Sequence, residues 1–275
     1  MKNSLHFPRM PTRDGAPPDG FILSSEMRWL LAVLAHPDDE SMGAGGLIVR
    51  HTRNDVMVHL VCATRGEQGW GGKPPGAQRE DLARIRTTEM EAAATALALA
   101  GVEIWDYPDG GVDRCDPNEI TQRILQAITT VQPAAVITWG PDGGYGHPDH
   151  IAVGACTDAA VAAMPEGRRP GLYHLAVDEQ LATFYREAAR LTSVDGEALP
   201  AVIADHVDVV VELTGDEVQM KLRAVHCHQS QLADWMIELR EHADLLQKGW
   251  GHEPYAAVPS RSASLTAAGL LGEFA

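Results

Sequence analysis

The amino-acid sequence predicts an α/β protein: a Rossmann-like parallel sheet with helices on both faces, elaborated towards its C-terminus by a cap or lid. Three observations predict it. A short apolar run, a polar loop rich in glycine or proline, and a helical pattern follow one another four times. The apolar runs are continuous rather than alternating, as in strands buried on both faces. Finally, 275 residues with 45% hydrophobic content suffice for one substantial core.

Residues 1–28 contain Pro8, Pro11, Pro17 and Pro18, which oppose helix, and an irregular arm is expected there. One domain is expected over 29–275, with a core to about residue 177 and the cap and C-terminal helices over about 178–275. The first strand, beginning at Leu30, ends abruptly at His36-Pro37-Asp38-Asp39-Glu40, and a helix is expected over Glu40–Thr52. Its glycines fail the dinucleotide pattern, because Ile48 stands at the sixth position of a GxGxxG counted from Gly43. Close backbone approach and tight helix–strand packing explain them better.

Val56–Ala63 is the second expected strand, and Thr64–Gly72 a glycine-rich loop at its carboxyl end. Leu82, Ile85, Met90, Ala93 and Leu97 then give one apolar face to a helix over Arg79–Ala100, ended by Gly101. A short strand, Val102–Trp105, a turn at Tyr107–Gly111 and a helix over Asn118–Val131 follow. The fourth strand, Ala134–Trp139, runs into Gly140-Pro141-Asp142-Gly143-Gly144-Tyr145-Gly146-His147-Pro148-Asp149-His150 and a helix to about Met164. Right-handed crossovers place all these loops on one edge of the sheet. Beyond a fifth strand at Gly171–Val177 come a helix at Glu179–Leu191, a strand at Val207–Glu212, and helices at Gly215–His228 and Leu232–Gln247. His252 and Glu253, in the tail, are expected at the surface.

Bulk properties exclude several function classes. The formal net charge is −16 and no Lys/Arg run occurs, so neither a nucleic-acid partner nor an anionic membrane surface is expected. Cys62, Cys115, Cys156 and Cys227 show no CxxC spacing and fit free thiols in a reducing, cytoplasmic setting. Residues 1–28 carry Pro, Gly and charge without a continuous apolar stretch, so they do not resemble a secretory signal, and no membrane span of about 18 apolar residues is expected.

His36 and Asp39 stand three apart at one strand end, and His147 and His150 stand three apart at another. Imidazoles and a carboxylate with an open position compose a catalytic zinc site, where bound water becomes a nucleophile near neutral pH. Asp38, an additional carboxylate beside that water, would serve as general base. Singly, Asp38, Asp39 or Asp149 would equally serve as helix caps. Two His/Asp-dense turns at the ends of strands in one sheet favour the metal.

AHPDDE at 35–40 and GHPDH at 146–150, with an RGEQG loop between them, resemble the LmbE-like/PIG-L superfamily of metal-dependent N-deacetylases. The similarity runs from about Leu30 to Leu232 and includes Asp109-Gly110 and His228-Gln229-Ser230-Gln231. It implies zinc on His36, Asp39 and His150, with Asp38 as the base. It further implies His147 as an electrostatic or general-acid partner oriented by Asp149, and Tyr145 near the developing oxyanion. Substrate contacts would fall on Glu67, Arg86 and Asp109, with an exposed ion pair as the alternative for Arg86. For His228 a substrate-pocket or structural role is favoured over metal ligation.

The expected activity is removal of an N-acetyl group from a small amino-sugar-containing metabolite or glycoside, in the cytoplasm. The sequence leaves open whether Asp38 or His147 returns the proton to the amine. It also leaves open whether Zn²⁺, Fe²⁺ or another divalent ion is used. Rival readings are an amidase cleaving a larger thiol S-conjugate and a non-catalytic sugar- or nucleotide-binding module. A homo-oligomer is expected, although no single feature specifies one.

Overall fold

The computed structural model describes residues 29–69, 81–191, 201–232 and 242–259. The N-terminal arm, the end of the glycine loop, the first residues of the helix expected from Arg79, and most of the helix expected over Leu232–Gln247 lie outside these ranges.

Seven strands form one sheet in the order β3-β2-β1-β4-β5-β7-β6. They are β1 Trp29–Leu34, β2 Met57–Thr64, β3 Gly101–Tyr107, β4 Ala135–Trp139, β5 Gly171–Leu175, β6 Val209–Glu212 and β7 His252–Ala257. The first five pair in parallel, as the repeated strand–helix pattern requires. β7 pairs antiparallel with both β5 and β6. The sheet is therefore mixed, mostly parallel, and the strands of the C-terminal elaboration extend it. β7 escaped the sequence reading because His252, Glu253 and Pro254 mask its apolar character.

Alternation along β1 shows how both faces are covered. Leu30, Ala32 and Leu34 join one apolar cluster, while Leu31, Val33 and Ala35 join the other. The second cluster is closed by α4 (Pro117–Val131) and α6 (Pro148–Ala163). The first is closed by α2 (Gly45–Thr52), α3 (Leu82–Ala96), α7 (Glu179–Leu191), α8 (Gly215–Val225) and α9 (Ala243–Gly249). Local signals set several ends. Asp116 caps α4 by accepting from Asn118 N, with Pro117 at the first turn. Thr214 and Glu217 form a reciprocal capping box on α8.

Two helix expectations change. The stretch expected as one helix over Glu40–Thr52 is broken into α1 (Asp39–Met42) and α2. The break lets α1 keep Asp39 beside the strand end while α2 turns its N-terminus towards Glu253, which accepts from Gly46 N at 2.7 Å and Leu47 N at 2.8 Å. Gly46 has to be glycine here, since a Cβ would lie 2.1 Å from Leu213. Secondly, Gly101 does not end α3 but begins β3; the chain turns at Ala98, which takes φ 54°. α5 (Gly143–Gly146) is a single irregular turn ahead of α6.

Candidate metal centre and active site

Neighbouring parallel strands β1 and β4 end side by side, and the loops leaving them carry His36–Glu40 and Gly140–His150. This juxtaposition is what a parallel sheet supplies at its carboxyl edge. His36 Nδ1 lies 3.1 Å from His150 Nε2, and Asp39 approaches both, Oδ1 at 3.5 Å from His150 Nε2 and Oδ2 at 3.9 Å from His36 Nδ1. All three residues are buried.

Each of the three is oriented by its other polar atoms. Asp39 Oδ2 accepts from Ala35 N, His36 N and Trp139 Nε1 at 2.9–3.0 Å, which leaves Oδ1 to the centre. His150 Nδ1 donates to the Gly143 carbonyl at 3.0 Å, so Nε2 carries a bare lone pair. His36 Nε2 donates towards Asp149 Oδ2 at 3.1 Å and Asp109 Oδ1 at 3.2 Å, which turns Nδ1 inward. Three acceptor atoms thus face one another, and a positive charge has to lie among them. Either a proton sits on His36 Nδ1 and is donated to His150, or a divalent cation is held by all three atoms. Nitrogen and oxygen donors at this spacing suit a borderline metal such as zinc.

The electrostatics agree. Burial opposes the imidazolium of His36, yet Asp109 and Asp149 hold its pKa up at about 10. Burial pushes His150 down to about 4, so its ring is neutral. Burial also opposes the Asp39 carboxylate, but the His150 and His36 rings hold its pKa below the ordinary value.

Among the described residues, two sets of ligand atoms lie wholly within 4.8 Å of one another, His36–His147–His150 and His36–Asp109–Asp149, which makes His147 a competing third ligand to Asp39. Its tautomer argues otherwise. As N-cap of α6, His147 accepts from Asp149 N through Nδ1 at 3.2 Å, so the neutral ring carries its proton on Nε2 and is a donor. Burial and the neighbouring charge of His36 lower its pKa, which keeps it neutral. Asp149 thus orients His147 through its backbone N–H and not through its carboxylate. The Asp149 carboxylate is spent on His36, Gly110 N at 2.7 Å and Val112 N at 2.9 Å.

Asp38 adopts φ 120°, a left-handed conformation that costs a non-glycine residue about 1–3 kcal/mol. Local bonds hold it there. Glu40 Oε2 accepts from Asp38 N at 3.0 Å, and His228 Nε2 lies 2.7 Å from Glu40 Oε1. Both Glu40 and His228 are wholly buried. His228 is therefore a structural brace behind the strand end, without surface to offer a substrate. Arg86 is corrected in the same way. Only 3% exposed, it donates to the carbonyls of Gly66 and Pro37 and to Asp38 Oδ2 at 3.1 Å. Its ion pair is with Asp38 and buried, not exposed. Burial raises the Asp38 carboxyl to about 6, against the pull of Arg86.

Glu67 and Asp109 flank the centre on the β2–β3 side. Glu67 Oε1 accepts from Asp109 N at 2.9 Å, and Asp109 Oδ2 accepts from Gln68 N at 2.7 Å. Tyr145 is exposed, its ring 5.2 Å from that of His150 and 5.7 Å from that of His147. Sequence reasoning missed Trp139, which stacks on His150 at 4.0 Å between centroids and bonds Asp39. Its position as the last residue of β4 was the available signal. The surface expectation for His252 and Glu253 also fails: both are buried in β7, and Glu253 receives Gly46 N, Leu47 N, Lys221 Nζ and Tyr255 Oη.

Comparison with known proteins follows the same line. A model of the GlcNAc-PI de-N-acetylase (PIG-L) family matches residues 31–161. A probable N-acetyl-alpha-D-glucosaminyl L-malate deacetylase 2 of Bacillus anthracis is 34% identical over 220 residues, covering 79% of this chain and 88% of that protein. A 1D-myo-inositol 2-acetamido-2-deoxy-alpha-D-glucopyranoside deacetylase of Actinosynnema mirum is 34% identical over 238 residues, covering 75% and 81%. Among solved structures, the N,N'-diacetylchitobiose deacetylase of Pyrococcus horikoshii superposes with a TM-score of 0.61 at 23% identity, covering 87% and 86%. The 4-carboxy-2-hydroxymuconate hydratase GalB of Pseudomonas putida also reaches 0.61, at 20% identity, covering 86% and 99%. At such identities the likeness carries the fold alone, and these two neighbours differ in chemistry.

Proposed function

The chain belongs to the GlcNAc-PI de-N-acetylase (PIG-L) family, and from that premise we propose that it is a metal-dependent hydrolase removing the N-acetyl group from a small N-acetylglucosamine-containing metabolite. The observation that carries this reading is the approach of His36 Nδ1 and His150 Nε2 to 3.1 Å, with Asp39 Oδ1 3.5 Å from His150, Asp39 Oδ2 3.9 Å from His36, and Asp38 lining the same cavity as Asp39 and His150. The proposed ion is Zn²⁺, with Fe²⁺ as the alternative that the same donors accept.

His36, Asp39 and His150 would hold the ion. Bound there, it would polarise the amide carbonyl and acidify a water molecule. Asp38, raised to about 6, accepts the proton of the attacking water near neutral pH. Arg86 keeps it ionised and fixed, and the Glu40–His228 pair holds its backbone. The neutral His147, with its proton on Nε2, and Tyr145 stand as donors for the oxygen that gains charge. Breaking the C–N bond releases acetate, and the proton taken by Asp38 is the one returned to the amine. Glu67 and Asp109 are proposed acceptors for sugar hydroxyls. A hydratase reading would draw on GalB, whose likeness at 20% identity carries the fold alone.

The test is Asp38→Asn. The variant should bind zinc in the wild-type ratio, measured by elemental analysis, while acetate release from N-acetylglucosaminyl L-malate falls by roughly 10²–10⁴-fold. Turnover within a few-fold of wild type would overturn the assignment of the base.

A further inference from the structure

A cavity of about 340 Å³ opens from the centre. Asp38, Asp39, His150 and Tyr145 line its mouth, and Met42, Leu175, Val177, Leu181, Tyr185 and Trp250 form its walls. Lys221, His252 and Glu253 also line it, but their bonding capacity is largely committed elsewhere. Glu253 takes four hydrogen bonds, Lys221 Nζ is neutralised by Glu253 at 2.7 Å, and His252 lies 2.7 Å from both Asp178 and Glu212. A sugar hydroxyl placed here would lose water without a matched set of partners. An apolar group would only gain.

Sheet order decides which arm of the substrate enters. Glu67 and Asp109 leave β2 and β3, on one side of the strands that carry His36, Asp39 and His150. The cavity walls come from the end of β5, from α7 and from the segment before β7, on the other side. An amide held at the centre has only two arms. With the hydroxyl-rich amine component on the carboxylate side, the acyl component points into the apolar cavity. An acetyl methyl, about the size of a water molecule at roughly 30 Å³, would leave most of that space empty.

We propose that this cavity is an acyl subsite and that the enzyme hydrolyses amino sugars bearing N-acyl chains several carbons longer than acetyl. The inference rests on the amide-hydrolase reading above. Water adds to the acyl carbon, the C–N bond breaks, and a longer carboxylate leaves in place of acetate with a free amine as the other product. Leu181, 9% exposed on α7, is placed to sense chain length.

The experiment measures kcat/KM of the zinc-loaded full chain on N-acetyl-, N-butanoyl- and N-hexanoylglucosamine by appearance of primary amine. A parallel arm compares the methyl and octyl glycosides of N-acetylglucosamine. The expected result is a rise of at least about tenfold from acetyl to hexanoyl, with no comparable rise from methyl to octyl glycoside. Leu181→Phe should lower the hexanoyl-to-acetyl ratio by roughly tenfold, its fold checked by thermal unfolding; the wild-type series stands without it. A flat or falling acyl series overturns the inference while the deacetylase reading survives. A rise confined to the octyl glycoside overturns it too, since the cavity would then hold the aglycone. Absence of amine from every substrate overturns both readings.

Discussion

Replacing Asp149 with asparagine separates its two proposed jobs. Its carboxylate accepts through Oδ2 from Gly110 N at 2.7 Å and His36 Nε2 at 3.1 Å, and through Oδ1 from Val112 N at 2.9 Å. An asparagine has one acceptor oxygen and one NH₂. Its better orientation keeps the oxygen towards Gly110 and His36 and sets NH₂ against the Val112 N–H. One buried donor then goes unpaired, a cost of about 1–3 kcal/mol to the fold. His36 Nε2–H keeps the Asp109 carboxylate at 3.2 Å but meets a neutral oxygen in place of that of Asp149, so Nδ1 becomes a poorer ligand. The expected loss in zinc affinity is about 10–100-fold, or about 1.4–2.7 kcal/mol. Chelator competition reads it, and Trp139, bonded to Asp39 and stacked on His150, supplies a fluorescence signal. His147→Ala should leave the affinity close to wild type. An unchanged affinity in a folded Asp149→Asn, or an equal loss in His147→Ala, would refute the argued division between His36 and His147.

Two further outcomes follow from the packing. Lys221→Met leaves Glu253 charged at 3% side-chain exposure without its cation, and chemical denaturation should show a loss of about 3–5 kcal/mol; joint replacement by Lys221→Met and Glu253→Gln should cost less than the sum, and strict additivity would contradict a coupled pair. Glu217 is held down to about 2, chiefly by its bond from Arg50, so its folded pKa lies below the unfolded one. Its contribution, about 3 kcal/mol at most, is full above the ordinary glutamate range and fades as pH falls from about 4.5 towards 2. The stability gap between wild type and Glu217→Gln should close over that window, and a gap constant from pH 7 to 2 would exclude this linkage.

The parallel core was legible because its signals are local. A continuous apolar run such as Leu30–Leu34 identifies a buried strand wherever it stands, and Asp116-Pro117 announces a helix start. The site was legible for a related reason: parallel strands deliver their following loops to one edge, so His36–Glu40 and His147–His150 had to share it. The backbone break between α1 and α2 was not legible. It depends on Glu253, 207 residues away from Gly46, and no local pattern records so distant an acceptor.

By itself the sequence determined the strand–helix order of the core, the edge on which chemistry gathers, and the residue types able to hold a cation there. Tertiary structure decided how those groups divide their bonds. The Asp149 carboxylate serves His36 while its backbone N–H serves His147, Arg86 and His228 brace Asp38 from within, and the C-terminal strands widen the sheet and wall a cavity. The physical reason is that hydrogen-bond capacity is finite. Which of several eligible partners a buried carboxylate or imidazole satisfies is settled only when segments far apart in the chain are brought within about 3 Å of one another.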